Sequence, residues 1–309
     1  MRLDETAAGV FTIAVTPFLP DGKLDLDSVD RMTDFYVEKG ATGLTLLGIM
    51  GEAPKLSHAE SLAVVRRVLA RTSLPIVVGV SAPGFAAMQA LAGDVMAAGA
   101  AGVMVAPAAG LRSDEQIAGY FRGVAETLGE IPWVLQDFPL VTGVPIPSSV
   151  ILRIVEESPT CVMLKHEDWP GLEKISSLRR ASEAGARRIS ILCGNGGQFL
   201  PEEMERGADG AMTGFAYPEM MAEVVRLYRA GERERMHEVF AAYLPLVRYE
   251  SQPGLGLAVR KHVLASRGVI AHPAIRRPGA GLGVAGVAEV EALVARQARR
   301  LAELGIAAG

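Results

Sequence analysis

The sequence predicts an α/β fold, a (β/α)₈ TIM barrel with a C-terminal helical extension. Three observations predict it: eight short apolar runs rich in β-branched residues, helix-like stretches between them, and a change to helical pattern alone after the eighth run. The runs cover residues 10–15, 43–47, 76–80, 102–106, 133–137, 161–165, 189–193 and 210–213. Each is too short for a helix and too apolar for a half-exposed strand, the pattern of strands buried on both faces of a parallel sheet. Their starts lie roughly 20 to 33 residues apart, the length of one βα unit. Eight such units make a closed barrel the natural architecture, because a doubly wound open sheet usually has fewer strands.

The intervening helices are bounded by their caps. Residues 27–38 start near Ser28 and stop at Gly40. Residues 58–71 follow Ser57, with Glu60 three positions on, a capping box. Residues 86–98 end at Gly99, 114–127 follow Ser113, 148–157 end before Pro159, 171–184 stop at Gly185, and 201–206 stop at Gly207. The pairs Gly40-Ala41, Gly99-Ala100, Gly185-Ala186 and Gly207-Ala208 read as helix C-caps feeding the next strand. After Thr213, residues 219–230, 232–249, 254–266 and 287–304 all read as helices, with a Pro/Gly-rich loop at 276–286. The expected division is a barrel over 1–218 and an extension over 219–309.

Composition narrows the partners. Of 309 residues, 50% are hydrophobic, enough for a large core, and the net charge of −4 gives no reason to expect a nucleic-acid or anionic-membrane partner. Two cysteines, Cys161 and Cys193, cannot make a disulfide framework and read as reduced, buried residues of a cytoplasmic protein. The first ten residues hold no apolar signal core. The longest uncharged stretch, 95–111, is broken by glycines and Pro107 and falls short of the roughly 20 apolar residues of a membrane span.

Barrel active sites lie at the C-terminal ends of the strands. The sixth run ends in Lys165, after four apolar residues, at a position that alternates into the barrel mouth. Partial desolvation there favours the neutral amine, which can attack a ketone. The alternative is a lysine that closes a strand and snorkels to solvent. The second run ends in Gly48-Ile49-Met50-Gly51-Glu52, a tight turn whose backbone N–H groups can face an anion; the alternative is an ordinary βα turn with Glu52 as a structural hydrogen-bonder. At the fifth, Gln136 and Asp137 alternate, so one of them faces inward, and Asp137 is either an acid/base group or a cap. At the seventh, Gly194, Asn195 and the glycines beyond permit close approach of a ligand. Met212, in the eighth run, is expected to line the same site. The GxGxxG match at 281–286 follows Arg276-Arg277-Pro278 and not a strand, so it lacks the context of a dinucleotide site. Five histidines show no metal-ligand spacing; only His166 lies near the proposed site.

The chain resembles the dihydrodipicolinate synthase / N-acetylneuraminate lyase family. The resemblance rests on Gly9-Val10 through Val15-Thr16-Pro17-Phe18, on the stretch from Gly48 to Ser57, on Pro139 with Thr142-Gly143-Val144, on Lys165, and on Gly207-Ala208-Asp209-Gly210. It implies a homotetramer or homodimer of barrels and a class I mechanism, in which Lys165 condenses with pyruvate or another small 2-oxo acid and no metal or organic cofactor is needed. It also exposes departures. The family's two loop threonines, which hold the substrate carboxylate, stand here as Ile49 and Met50. Its strand-five tyrosine, the proton relay, stands as Gln136, which cannot be a general acid or base. A tyrosine pair after strand four stands as Ala108 and Ala109, and the synthases' carboxylate-binding arginine as Val141.

The expected function is therefore a Schiff-base aldolase or dehydratase other than a true dihydrodipicolinate synthase. Lys165, Asp137 and Glu167 are its candidate catalytic residues, and Gly48, Ile49, Met50, Gly51, Gln136, Gly194, Asn195 and Met212 its candidate substrate contacts. The replacement acid/base is sought among Asp137, His166, Glu167, Tyr217 and water. By strand alternation His166 points away from the interior, which leaves Glu167, in the loop, the freer group. Two competing readings stay open: a barrel that binds 2-oxo acids without turnover, and a metal-dependent enzyme using Asp137, Glu167 and Asp168.

Overall fold

The computed structural model describes residues 2–306. Eight parallel strands close into a barrel in chain order, with the first paired to the last. They are β1 (Gly9–Ile13), β2 (Gly43–Leu46), β3 (Ile76–Gly79), β4 (Gly102–Val105), β5 (Trp133–Asp137), β6 (Cys161–His166), β7 (Ser190–Cys193) and β8 (Gly210–Ala211). Every strand residue is buried, which is why the runs carry no polar alternation. The predicted fold class is borne out, with shifts of a residue or two at strand ends and β8 reduced to two residues.

Around the barrel run α1 (Leu26–Glu38), α2 (His58–Arg71), α3 (Phe85–Ala98), α4 (Asp114–Leu128), the single turn α5 (Pro139–Thr142), α6 (Ser148–Glu157), α7 (Leu172–Glu183), α8 (Leu200–Glu205) and α9 (Pro218–Ala230). The Ser57/Glu60 capping box opens α2, and Ser113 with Gln116 makes a second one at α4. Asp25, not Ser28, caps α1, its carboxylate accepting from the Ser28 N–H. Helix α9 packs against β1 and closes the ring of helices. Three further helices follow, α10 (Arg233–Glu250), α11 (Gly256–Ser266) and α12 (Val284–Glu303), with α10 packed on α9 and α12. The GxGxxG stretch runs into the start of α12 with no strand before it.

Two apolar cores result. The larger lies between strands and helices. The smaller fills the barrel, with Phe11, Ile13, Val77, Met104, Val134, Met163, Leu192 and Met212, so the interior is packed and only its mouth is free for chemistry. No helix among the described residues is long and apolar enough to cross a membrane. Both cysteines are buried and unbonded.

Candidate active site

Strand register decides which side chains enter the mouth. Gln136 on β5 stands opposite Lys165 on β6, and Asp137 opposite His166. The interior residues Val134 and Met163 lie two positions before Gln136 and Lys165, so this second pair also faces inward. Asp137 and His166 face the helices.

Beyond His166 the Glu167 N–H still donates to the Asp137 carbonyl at 2.9 Å, so the backbone keeps the course of the strand and Glu167, two positions after Lys165, stays on the lysine's face. Lys165 Nζ lies 2.7 Å from Glu167 Oε1, and each residue is only 5% exposed. Gln136 Nε2 donates to the same Glu167 oxygen at 2.7 Å. The carboxylate thus sits between the amine and the residue that stands where the family relay would be.

Strand β7 makes room for it. A β-carbon at Gly194 would lie 2.3 Å from Glu167 Cγ and 2.5 Å from its Cδ, so only glycine fits. Asn195, in the left-handed region at φ 50°, donates from Nδ2 to the Glu167 carbonyl at 2.8 Å. The Gly196 N–H donates to the Thr213 hydroxyl at 2.9 Å, tying this turn to the segment after β8.

The 48–52 loop closes another side. Leu47 exits β2 at φ 55°, and its carbonyl occupies the space a β-carbon on Gly79 would need. Gly48 borders Ile13 and Met104, and Met50 packs on the same interior cluster. Ile49 is 44% exposed. The Thr16 hydroxyl donates to the Gly51 carbonyl at 2.6 Å and anchors the turn. Glu52 follows in the left-handed region at φ 56°.

Some expected groups lie elsewhere. Asp137 is fully buried on the helix side, where Lys174 Nζ of α7 reaches its Oδ2 at 2.8 Å and also Asp168 Oδ2 at 2.5 Å. The alternation that carries Gln136 into the mouth carries Asp137 out of it, so its expected acid/base place beside Lys165 does not arise. His166 is likewise turned outward, its Nε2 3.1 Å from the Gly171 carbonyl. Tyr217 is buried against Phe215, Tyr243 and the Arg267 guanidinium. Met212 lies fully buried in the barrel core. Val141 is 56% exposed on α5. Asp137 and Asp168 share Lys174, whereas Glu167 faces Lys165, so the three carboxylates do not converge; among the described residues no His, Cys, Asp and Glu groups gather as a metal site. Sequence reasoning missed the anchors Thr16, Thr213 and Lys174. Thr16 belongs to the quoted Val15-Thr16-Pro17 stretch, and that was the one available signal.

The model of the Dihydrodipicolinate synthetase family matches residues 6–297. The chain belongs to that family. It is 31% identical over 247 residues to a 4-hydroxy-tetrahydrodipicolinate synthase of Sorangium cellulosum, covering 77% of this chain and 79% of that protein. It is 27% identical over 288 residues to an L-2-keto-3-deoxyarabonate dehydratase of Azospirillum brasilense, covering 87% and 88%. The crystal structure of a dihydrodipicolinate synthase from Rhodopseudomonas palustris superposes with a TM-score of 0.94 at 56% identity, covering 96% of this chain and 99% of that one. Members of the dihydrodipicolinate synthetase family are lyases, and this chain is a carbon–carbon or carbon–oxygen lyase of that family.

Proposed function

We propose that the chain is a class I lyase in which Lys165 forms an imine with pyruvate or another small 2-oxo acid, and Glu167 moves the protons. The observation that carries this reading is the buried 2.7 Å contact between Lys165 Nζ and Glu167 Oε1. A proton passing from ammonium to carboxylate leaves a neutral amine beside a carboxylic acid. The amine adds to the ketone carbon, the acid protonates the carbinol oxygen, and water leaves, giving a protonated imine next to the restored carboxylate. That carboxylate then takes a proton from C3 to form the enamine. With a hydroxyl on C4, expulsion of water gives a dehydratase; deprotonation of that hydroxyl and cleavage of C3–C4 from the imine gives an aldolase.

The substrate carboxylate would rest on the backbone N–H groups of residues 48–50, since Ile49 and Met50 offer no hydroxyls and the Gly51 N–H is spent on the Gly48 carbonyl at 2.9 Å. Val141, Ala108 and Ala109 supply neither the charge nor the phenols of the synthases, which supports a substrate other than that of dihydrodipicolinate synthesis. Asp137 is assigned a structural role, and Gly194 and Asn195 the placing of Glu167. The Azospirillum relative is named for a 2-keto acid, which supports a 2-oxo acid here. The two buried free cysteines favour a reducing, cytoplasmic setting, and the family resemblance favours a homotetramer or homodimer.

A second reading, a barrel that binds 2-oxo acids without turnover, draws on Gln136 in place of a phenol. One experiment treats both. The chain is incubated with pyruvate and then with a panel of 2-oxo acids, each with borohydride, and the reduced adduct is mapped by mass. An adduct on Lys165, absent in Lys165→Met, supports the lyase; no adduct with any member overturns it. An adduct without exchange of the C3 protons for solvent deuterium favours the second reading.

A further inference from the structure

We infer that Lys261, on α11, is a positioning residue for the 2-oxo acid: through Glu52 it holds the 48–51 loop in the shape that presents its N–H groups. The inference rests on the reading above for what the loop binds. The ion pair itself stands on separate geometry.

Lys261 shows no exposure and Glu52 only 3%, and their Nζ and Oε1 meet at 2.5 Å across 209 residues of sequence. Lys261 also donates to the Ala274 carbonyl at 2.7 Å, and its ammonium lies 4.6 Å from the centre of the Phe18 ring. The second Glu52 oxygen accepts from Lys55 Nζ at 2.8 Å and from the Arg276 N–H at 3.1 Å. A carboxylate and an ammonium so far from water are stable only when paired and hydrogen-bonded throughout, as both are here.

Glu52 is the joint between two single-turn 3₁₀ segments, Ile49–Gly51 and Ala53–Lys55. Its φ of 56° is a conformation that a residue with a long side chain adopts only where surrounding contacts impose it. Apart from the local Lys55, the contacts that hold its carboxylate come from beyond the barrel: Lys261, itself bound to the Ala274 carbonyl, and the Arg276 N–H. The same helix backs Met50, whose methyl lies close to Gly256. With isoleucine and methionine at its centre, the loop has only backbone donors, so the direction of those N–H groups is its whole means of holding an anion.

The test uses the full-length chain and two readouts, the pyruvate dependence of borohydride trapping at Lys165 and amide hydrogen exchange. In Glu52→Gln, which keeps the shape and removes the charge, and in Lys261→Met, half-saturating pyruvate should rise tenfold or more, with the maximal trapping rate and its pH profile within about twofold. The double variant should be no worse than the poorer single one. Amides of residues 49–56 should exchange at least tenfold faster, with β5 unchanged. Should Lys261→Met not fold, Glu52→Gln decides alone. Unchanged half-saturation in a folded variant overturns the inference, as does a loss confined to the maximal rate. If wild-type chain forms no adduct, the lyase reading fails, and exchange then decides whether the pair shapes the loop.

Discussion

Lys165 and Glu167 are two positions apart in sequence and meet side chain to side chain, because the Glu167 N–H prolongs the ladder to the Asp137 carbonyl and alternation leaves both residues on the mouth face. Their backbones lie about 7 Å apart, as neighbours on one strand face do, and the two long side chains close that gap to a contact of 2.7 Å. Glu167→Gln keeps the shape and removes the base. It should slow exchange of pyruvate C3 protons with solvent deuterium by about 10²- to 10⁴-fold, while borohydride still traps an adduct on Lys165. Proton exchange at the wild-type rate, followed by NMR, would remove Glu167 from the mechanism.

Gly194 is the complement of that carboxylate. Alanine there drives a methyl group into Glu167. Gly194→Ala should lose about 1–3 kcal/mol of stability from overpacking and most of its exchange activity. Shortening the acid in Gly194→Ala/Glu167→Asp should return part of the stability but not the activity. Urea denaturation midpoints measure the first effect.

Asp137 gives the opposite pattern. Its partner Lys174 lies on α7, away from Lys165. Removing one charge of a buried pair costs roughly 3 kcal/mol, so Asp137→Asn should lower the thermal midpoint clearly while exchange activity, measured below that midpoint, stays within a few-fold. A loss of activity without loss of stability would return Asp137 to the catalytic set.

Glu203 on α8 sets a pH dependence. Burial pushes its carboxyl up to about 8, the charges of Glu202 and Glu167 add to the rise, and the Cys193 thiol opposes it. The folded chain therefore keeps a proton that the unfolded chain releases near 4.5. Between those values the native state binds the extra proton, so this group's stabilisation falls as pH rises from about 4.5 to about 8 and is level above that. Glu203→Gln should flatten that portion of the stability curve, by an amount on the order of a few kcal/mol across the window. An unchanged slope in urea titrations from pH 5 to 8 would show that Glu203 ionises normally.

The barrel was legible because a strand buried on both faces leaves a plain trace: residues 76–79 and 102–105 contain nothing but glycine and apolar side chains. Helix starts were legible where the cap is local, as at Ser57 and Ser113. The single turn of α5 was not, since four residues carry no periodicity. Lys165 was legible as a charge ending an apolar run. Glu167 stood among several candidate neighbours, and two things hid the choice. Alternation left either Gln136 or Asp137 facing inward, and only pairing with β6 chose between them. A carboxylate just after a strand end need not keep the strand's alternation; Glu167 keeps it through its N–H bond to the Asp137 carbonyl, and the absence of a side chain at Gly194 leaves it the room. Glu52 was legible as the polar end of the 48–52 turn, but its partner Lys261 was not, since no periodicity links positions 209 residues apart.

The sequence distance between Glu52 and Lys261 also sets an order of events during synthesis. All eight strands are complete once residue 211 has been made. Lys261 and the Arg276 N–H, which satisfy the Glu52 carboxylate, are still to come. A nascent chain can therefore close its barrel on the ribosome with Lys165 in place and the 48–52 turn still unclamped. Residues 261–276 thus act as the lock on this turn, so a chain released at a stop codon before 261 would carry Lys165 on a closed barrel but lack the clamp on Glu52.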